Sequence, residues 1–408
     1  MLPKDNSVYE NYFFHFGQQL DLLLINKSTI MKLKLIVLLI VISTSQLFSQ
    51  KQPVYSIVKQ PQSTEWYQNQ LKLWNAEIKI NPKNAYAWQN AYIAMRMIKI
   101  KSTFKTQKDL NVFIKKMQQA IPDTYEYHYL TYYNREVGGD KYEKLFHHIE
   151  KAYEIDPTRT EIYPDLLTHA LMNSNSVKVK EYSSLWFNSN TTSPNILNFG
   201  YNMLASCEDN SVLITNGDND TYPPIIVQNH LGYKPNVKVL NIYLLQKDKY
   251  RNEVFKSLGI KPFDKKNADF KTSYDFMKAI ARHLEKYLKI PLYYSSTVNK
   301  GLYKASFDKT YVVGLAVQYC EKKFDNLAIL KKNVELHFKI DYIETSFLND
   351  ISKQVIAQSN NAYLLGFITL YNHYKLSGDE VNKKKMDKLI RKIAASNNNS
   401  SNILKYLD

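Results

Sequence analysis

The residues with most chemical potential form one string, Asn216-Gly217-Asp218-Asn219-Asp220-Thr221-Tyr222-Pro223-Pro224. Asp218 and Asp220 share an Asp-x-Asp spacing, which supplies oxygen ligands of the kind a divalent cation takes. At the start of a helix, free N–H groups and two carboxylates can together meet a sugar, a metal or a substrate amine. The same residue types also make tight turns, and Asp220 or Thr221 suits an N-cap ahead of the prolines. Both readings stay open. The candidate ligand-binding residues are therefore Asn216, Asp218, Asn219, Asp220, Thr221 and Tyr222, with Asp218 and Asp220 as the metal candidates. No residue is assigned as catalytic and no cofactor is expected. Ser295, Ser296 and Asn299 follow a predicted strand end and are the polar groups that a catalytic reading would need to converge on the loop. His147-His148 with Glu150 has metal-binding residue types but no second ligand set, and reads as surface or packing histidines.

Sharper motifs are absent. A calcium loop of the helix–loop–helix type needs glycine and glutamate later in the string, where Tyr222 and Pro223 stand. The chain has no G-x-G dinucleotide loop, no P-loop, no H-E-x-x-H and no G-x-S-x-G. Cys207 and Cys320 are the only cysteines, which excludes a disulfide-dense scaffold and an all-cysteine zinc site. They can pair in an oxidising compartment or remain two buried thiols.

The string must be held by neighbouring elements. Ser211–Thr215 is a short apolar run bounded by turn residues, the mark of a buried strand. Pro224–Leu231 can form a helix closed by Gly232, and Val237–Leu245 reads as a second strand, which makes a βαβ unit with parallel strands. The loop then lies at the carboxyl end of the first strand, where parallel sheets bind ligands. Thr272-Ser-Tyr-Asp275 has the form of a capping box ahead of a helical stripe, Phe276, Ile280, Leu284 and Tyr287. Pro291–Ser295, Thr310–Val317 and Val334–Ile340 read as further strands, the last from its alternation of Val334, Leu336, Phe338 and Ile340. From Ile351 the pattern is helical: Tyr363–Leu376, a break at Ser377-Gly378, then Val381–Ile393, with a tail from Ser396 expected to fray.

The region before this module is helical. Trp66, Leu71, Trp74 and Ile78 line one helix face, Asn81-Pro82 breaks it, and Ala87, Ala91 and Ala94 offer small residues for a second helix to touch. Residues 141–157 end a helix at Asp156-Pro157, and Trp88 and Tyr163 each stand six residues after their proline. Proline fixes φ and lacks an N–H, so it ends one helix and suits the start of the next. Stacked helix pairs of this kind resemble the tetratricopeptide repeat. The spacing of the two prolines is not a clean multiple of that period, so either the repeats are degenerate or an extra helix intervenes, for which Phe104–Ile121 has the periodicity.

Leu213–Pro223, Asn236–Leu245, Ile290–Thr297 and Val313–Tyr319 are together similar to the soluble C-terminal region of bacterial multi-pass membrane proteins that look like protein O-mannosyltransferases. The resemblance spans about Pro194–Leu389, and Gly-Asp-Asn-Asp-Thr is its most specific part. It implies that the loop matters beyond turn-making. In that family the membrane helices hold the transferase site, and here a tetratricopeptide-like region stands in their place, so transfer by this chain alone is not implied. Pro224 and Ile225 replace Leu-Trp, and Val317 replaces the tyrosine of the family's Gly-Leu-Ala-Tyr segment, which removes an aromatic stacking residue.

At the start, Met31–Gln50 reads as a signal peptide: Lys32 and Lys34, an apolar run Leu35–Ile42 too short to span a bilayer, then small and polar residues. The expected division is 1–30 an extension ahead of the true start, 31–50 the signal peptide, 51–193 helical repeats, 194–345 the α/β module and 346–408 a C-terminal helical hairpin with its tail. The mature protein is expected in the periplasm or outside the cell, without a stable membrane span.

The chain has 408 residues, 44% of them apolar, enough to bury a large core. Its charge of +16 is nearly all lysine; the arginines are Arg96, Arg135, Arg159, Arg251, Arg282 and Arg391. Lysine lacks the fork with which arginine reads phosphates and bases, so nucleic acid is not expected as a partner, and Lys383–Lys385 reads as a solvated helix face. The expected fold class is α+β or α/β: tetratricopeptide-like helical hairpins flanking a small module with a partly parallel sheet. The expected function is an exported, non-catalytic scaffold or adaptor of the bacterial cell envelope that binds a protein or peptide in its repeat groove. The alternative is a ligand-binding accessory or an enzyme of glycan or glycoprotein metabolism that uses Asp218–Thr221.

Overall fold

A computed structural model describes residues 32, 34, 50–135, 141–396 and 400–407. The proposed signal peptide falls outside them apart from Lys32, Lys34 and Gln50. No described helix is long and apolar enough to cross a membrane. The described chain forms two compact units, one centred on 62–113 and one containing 55–61 and 114–407.

The first unit is built on a helical hairpin, α1 (Thr64–Ile80) and α2 (Ala85–Lys101). Ser63 caps α1 by accepting the Trp66 N–H at 3.1 Å, and Asn84 caps α2 by accepting that of Ala87 at 3.1 Å. Ala87, Ala91 and Ala94 are fully buried. Trp88 packs edge-on against Phe113, and its indole N–H donates to the Pro82 carbonyl at 2.9 Å. The run from Phe104 that has helical periodicity is α3 (Gln107–Ala120).

The second unit continues with α4 (Tyr125–Tyr133), α5 (Lys141–Ile155), α6 (Tyr163–Met172), α7 (Ser176–Asn188) and α8 (Pro194–Ala205). Between α5 and α6, Tyr163 Oη donates to the Pro157 carbonyl at 3.0 Å, the same proline-to-aromatic bond that Trp88 makes in the first unit. Pro122 stands between α3 and α4, and His128, six positions on, has its Nδ1 2.9 Å from His148 Nδ1.

Then comes the sheet. β1 (Val212–Thr215), α9 (Asp218–Leu231) and β2 (Lys238–Asn241) form the expected parallel βαβ unit. α10 (Asp248–Ser257) and α11 (Ser273–Tyr287) lead to β3 (Leu292–Ser295), which pairs with β1 in parallel on its other side. β4 (Thr310–Val312) and β5 (Ala316–Tyr319) complete it, and the strand order is β2-β1-β3-β5-β4 with the last two pairings antiparallel. The sheet is buried on both faces. Leu213, Val239 and Tyr293 face one core with Phe199, Met203, Ile225 and Phe367. Val212, Ile214, Leu240, Leu292 and Tyr294 face another with Tyr250, Phe255, Phe276 and Ile280. Burial on two faces explains why β1 reads as a continuous apolar run. The chain ends in α12 (Asn326–Lys332), α13 (Asp341–Glu344), α14 (Lys353–Asn360), α15 (Leu364–Ser377), α16 (Glu380–Ala395) and α17 (Ser400–Leu404). The class is α+β.

Five sequence expectations need correction. Val334–Ile340 is not a strand. Asp325 caps α12 by accepting from the N–H groups of Leu327 and Ala328, and the helix runs on into a wider turn over Asn333–His337. Asn333 anchors that turn on the Val313 carbonyl at 2.7 Å; Val334 and Ile340 are buried while Leu336 is exposed, so the alternation does not mark a sheet face. Thr310–Val317 is not one strand but a hairpin. It turns at Gly314, whose φ of 141° and contact with Ser206 and Phe338 leave no room for a Cβ. Val237–Leu245 stays a strand only to Asn241, because the Asn241 side chain accepts the Tyr243 N–H at 2.8 Å and closes a turn. α9 starts at Asp218, well ahead of Pro224. The tail past Ser396 contains α17, after which Tyr371 Oη donates to the Leu407 carbonyl at 2.8 Å. Cys207 and Cys320 are free thiols.

Candidate functional site

The carboxyl ends of β1, β2 and β3 stand side by side, with residues Thr215, Asn241 and Ser295 as their last members. The chain leaves β1 for β2 on one side and reaches β3 on the other. This reversal is the topological switch point at which open α/β sheets leave a crevice. The Asn216–Tyr222 string occupies it.

Most of the string is turned inward. Asp220, the third residue of α9, is buried, and its carboxylate accepts the backbone N–H groups of Asn216 at 2.8 Å and Gly217 at 2.6 Å. It therefore acts as the acidic half of a capping arrangement, not as the N-cap itself, and the N-cap position is Gly217. The same carboxylate accepts from Thr297 Oγ1 and from Ser295 Oγ at 3.4 Å, which ties the loop to the end of β3. Burial raises the Asp220 pKa, and the bonds from Thr297, Asn216 and Gly217 work in the opposite direction. Thr221 is buried too; its hydroxyl pairs with Thr215 Oγ1 at 2.7 Å and accepts from Asn241 Nδ2 at 3.0 Å, which joins α9 to β1 and β2. Tyr222 is buried, with its hydroxyl 2.6 Å from Thr168 Oγ1 of α6 and its ring against Trp186. Asn216 contributes its backbone N–H. Asn219 Nδ2 donates to the Val58 carbonyl at 3.3 Å, in the strap 55–61.

Asp218 differs from all of these. It is the first residue of α9, it is exposed, and its carboxylate takes no hydrogen bond from a described residue. The surrounding protein pushes its pKa up to about 6, and the carboxylates of Asp165 and Asp220 add to the rise. Asp165 belongs to α6 and is held at 2.7 Å by Arg135, whose guanidinium lies 3.9 Å over the Tyr132 ring. Nearby, Arg159 bridges Glu126 at 3.0 Å and Glu161 at 2.5 Å. Lys59 of the strap has its pKa lowered by burial, which Glu161 and Asp350 oppose.

The string alone does not reveal Asp165, Arg135, Lys59 or Thr297. Thr297 is two residues past a strand end that the sequence does show. The others come from a helix start, a helix end and the turn 57–59, and nothing in their local pattern marks them. Of the three polar candidates near β3, Ser295 meets the loop; the Ser296 N–H donates to the Leu315 carbonyl, and Asn299 caps its own short turn at Gly301. His148 Nδ1 lies 2.9 Å from His128 Nδ1, and His147 Nδ1 lies 2.9 Å from the Lys144 carbonyl oxygen. Among the described residues no group of three or more His, Cys, Asp or Glu is arranged to hold a metal.

α9 keeps its position through one close approach. A Cβ at Gly200 of α8 would lie 2.7 Å from the backbone of Pro223 and Pro224. Those prolines lack the N–H groups that would bond the Asn219 and Asp220 carbonyls, and α8 packs directly on that stretch.

No curated protein matches the chain. Residues 196–275, from the start of α8 through the loop and β2 into α11, match the family model of TMEM260-associated domain 2.

Proposed function

We propose that the chain is an exported, non-catalytic scaffold or adaptor of the bacterial cell envelope, whose tetratricopeptide-like hairpins bind a protein or peptide partner. The observation that carries this reading is how the loop's polar groups are used. Asp220, Thr221 and Tyr222 are all bonded within the fold, so the loop offers Asp218 no second available carboxylate with which to form an acid–base pair. The repeat reading is supported by the matching bonds of Trp88 to Pro82 and of Tyr163 to Pro157. The experiment is partner capture by the purified chain from envelope extract, run beside Asp218→Asn. Equal capture by both proteins is expected; capture that disappears in the variant overturns the scaffold reading.

Asp218 favours a second reading, a ligand-binding accessory of glycan or glycoprotein metabolism. An exposed carboxylate at a switch point is suited to hydroxyl or amine groups, and the match to TMEM260-associated domain 2 agrees with the resemblance to O-mannosyltransferase-like proteins. Thermal unfolding against sugars and sugar-carrier compounds tests it. A ligand at 100 times its Kd adds about 2.7 kcal/mol, and on this reading the gain is lost in Asp218→Asn.

A further inference from the structure

Outside the site, the strongest surface feature is one face of α16. The inner face of this helix is apolar: Met386, Leu389, Ile390, Ile393 and Ala394 are buried. At about 100° per residue, Val381, Lys384, Lys385, Lys388, Arg391 and Lys392 share an arc of about 120° on the other side. All six are exposed, and the arc contains no carboxylate of the helix. Asp387, paired with Arg391 at 2.9 Å, and Glu380, paired with Lys383 at 2.8 Å, flank it. Glu344 of α13 reaches Lys388. Lys384, Lys385 and Lys392 make no ion pair with a described residue. At one end of the arc Gly378, with φ 75°, turns α15 into α16 and leaves Leu376 90% and Val381 80% exposed.

We propose that this face docks the protein on an anionic lipid surface. Three features favour lipid over another polyanion. The charges are mostly lysine, a compact point charge suited to a diffuse headgroup layer and lacking the fork that reads bases. The helix is a 16-residue rod, about 24 Å long, whose basic stripe runs along its length and can lie flat. Val381, in the first turn of the helix and within the arc, can enter the headgroup boundary, with exposed Leu376 at the end of α15 close by in the chain. The net charge of +16 means that the remaining surface does not cancel the attraction. The inference is independent of the partner and ligand readings, since Asp218 takes no part in it.

The experiment is co-sedimentation of the full chain with phosphatidylcholine vesicles made with or without phosphatidylglycerol. Binding is expected only with phosphatidylglycerol, and it is expected to vanish as salt shortens the screening length to about 3 Å at 1 M. Each basic residue near such a surface contributes about fivefold, so Lys384→Glu, Lys385→Glu and Lys392→Glu together lower affinity by at least about a hundredfold. The glutamine versions of the same three positions, which keep helix propensity, carry the test if the reversed variant unfolds. Leu376→Ser with Val381→Ser lowers affinity by about tenfold. Equal binding to both vesicle types overturns the proposal. So does wild-type binding by the folded triple variant, or full displacement by a single-stranded oligonucleotide at stoichiometric amounts.

Discussion

The junction between α5 and α6 and the junction between β1 and α9 both end one element and start the next, but with opposite reach. At the first, Pro157 stops a helix and Tyr163, six residues on, donates to its carbonyl. Every group involved is a neighbour in the chain. At the second, the Asp220 carboxylate gathers two N–H groups of its own loop and then two hydroxyls, Ser295 and Thr297, from 75 and 77 residues away. The local junction is a repeatable device, and the chain uses it again at Pro82 with Trp88. The long-range one is made once and ties the β1–α9 loop to the end of β3. Losing a bond at the first should weaken one turn, whereas losing the carboxylate at the second leaves two part-buried N–H groups and the Ser295–Thr297 hydroxyl pair without their shared acceptor.

The largest effect is therefore expected at Asp220. Asp220→Ala strands the Asn216 and Gly217 N–H groups and unties β3, at a cost of about 4 kcal/mol. Asp220→Asn keeps one acceptor and should recover part of it. Chemical denaturation of the purified variants measures both, and a cost for Asp220→Ala below that of a single turn bond would end the contrast between the two junctions. Gly200→Ala comes next. Its Cβ meets the Pro223 and Pro224 backbone at 2.7 Å, and backbone cannot swing away as a side-chain tip can, so a loss of about 2 to 3 kcal/mol is expected. The melting temperature should fall without a change at the proline junctions. Tyr163→Phe deletes one hydroxyl bond and nothing else, for about 1 kcal/mol. A double variant with Asp220→Asn should be additive, because the two junctions share no partner.

How legible each region was follows from the same difference in reach. The proline breaks, the Ala87-Ala91-Ala94 face and the Thr272 capping box are patterns within a few residues, and each appears in the fold as read. The helical periodicity from Phe104 appears as α3, and Pro122 stands between it and α4. β1 and β3 were legible because both faces are buried and the strands are apolar throughout. Val334–Ile340 misled because two buried residues happen to bracket a wide helical turn whose anchor, Asn333 on the Val313 carbonyl, comes from a different element. The sequence marks the loop but not the division of labour within it. Asp218 and Asp220 look alike in sequence, and only the arrival of Ser295 and Thr297 makes one of them internal.

That division sets the smallest and most specific prediction, the pH dependence of Asp218. Its folded pKa, about 6, lies above the ordinary carboxylate value of about 3.9. The folded state then holds a proton that the unfolded state has released, so stability falls as pH rises from about 4 to 6 and stays lower above that. The carboxylate is exposed, and solvent screening limits the loss to about 1 kcal/mol or less. Asp218→Asn cannot ionise, so it should match the wild type near pH 4 and be slightly more stable at pH 7, less the small favourable interaction of a charge with the α9 N-terminus. Asp220→Asn should not reproduce this profile, because its dominant effect is the lost acceptor at every pH. Melting curves of the three proteins from pH 4 to 7 read the difference directly. A difference between wild type and Asp218→Asn that does not change with pH would mean that the Asp218 carboxyl titrates in the fold as it does in the unfolded chain, and that the surrounding protein does not perturb it.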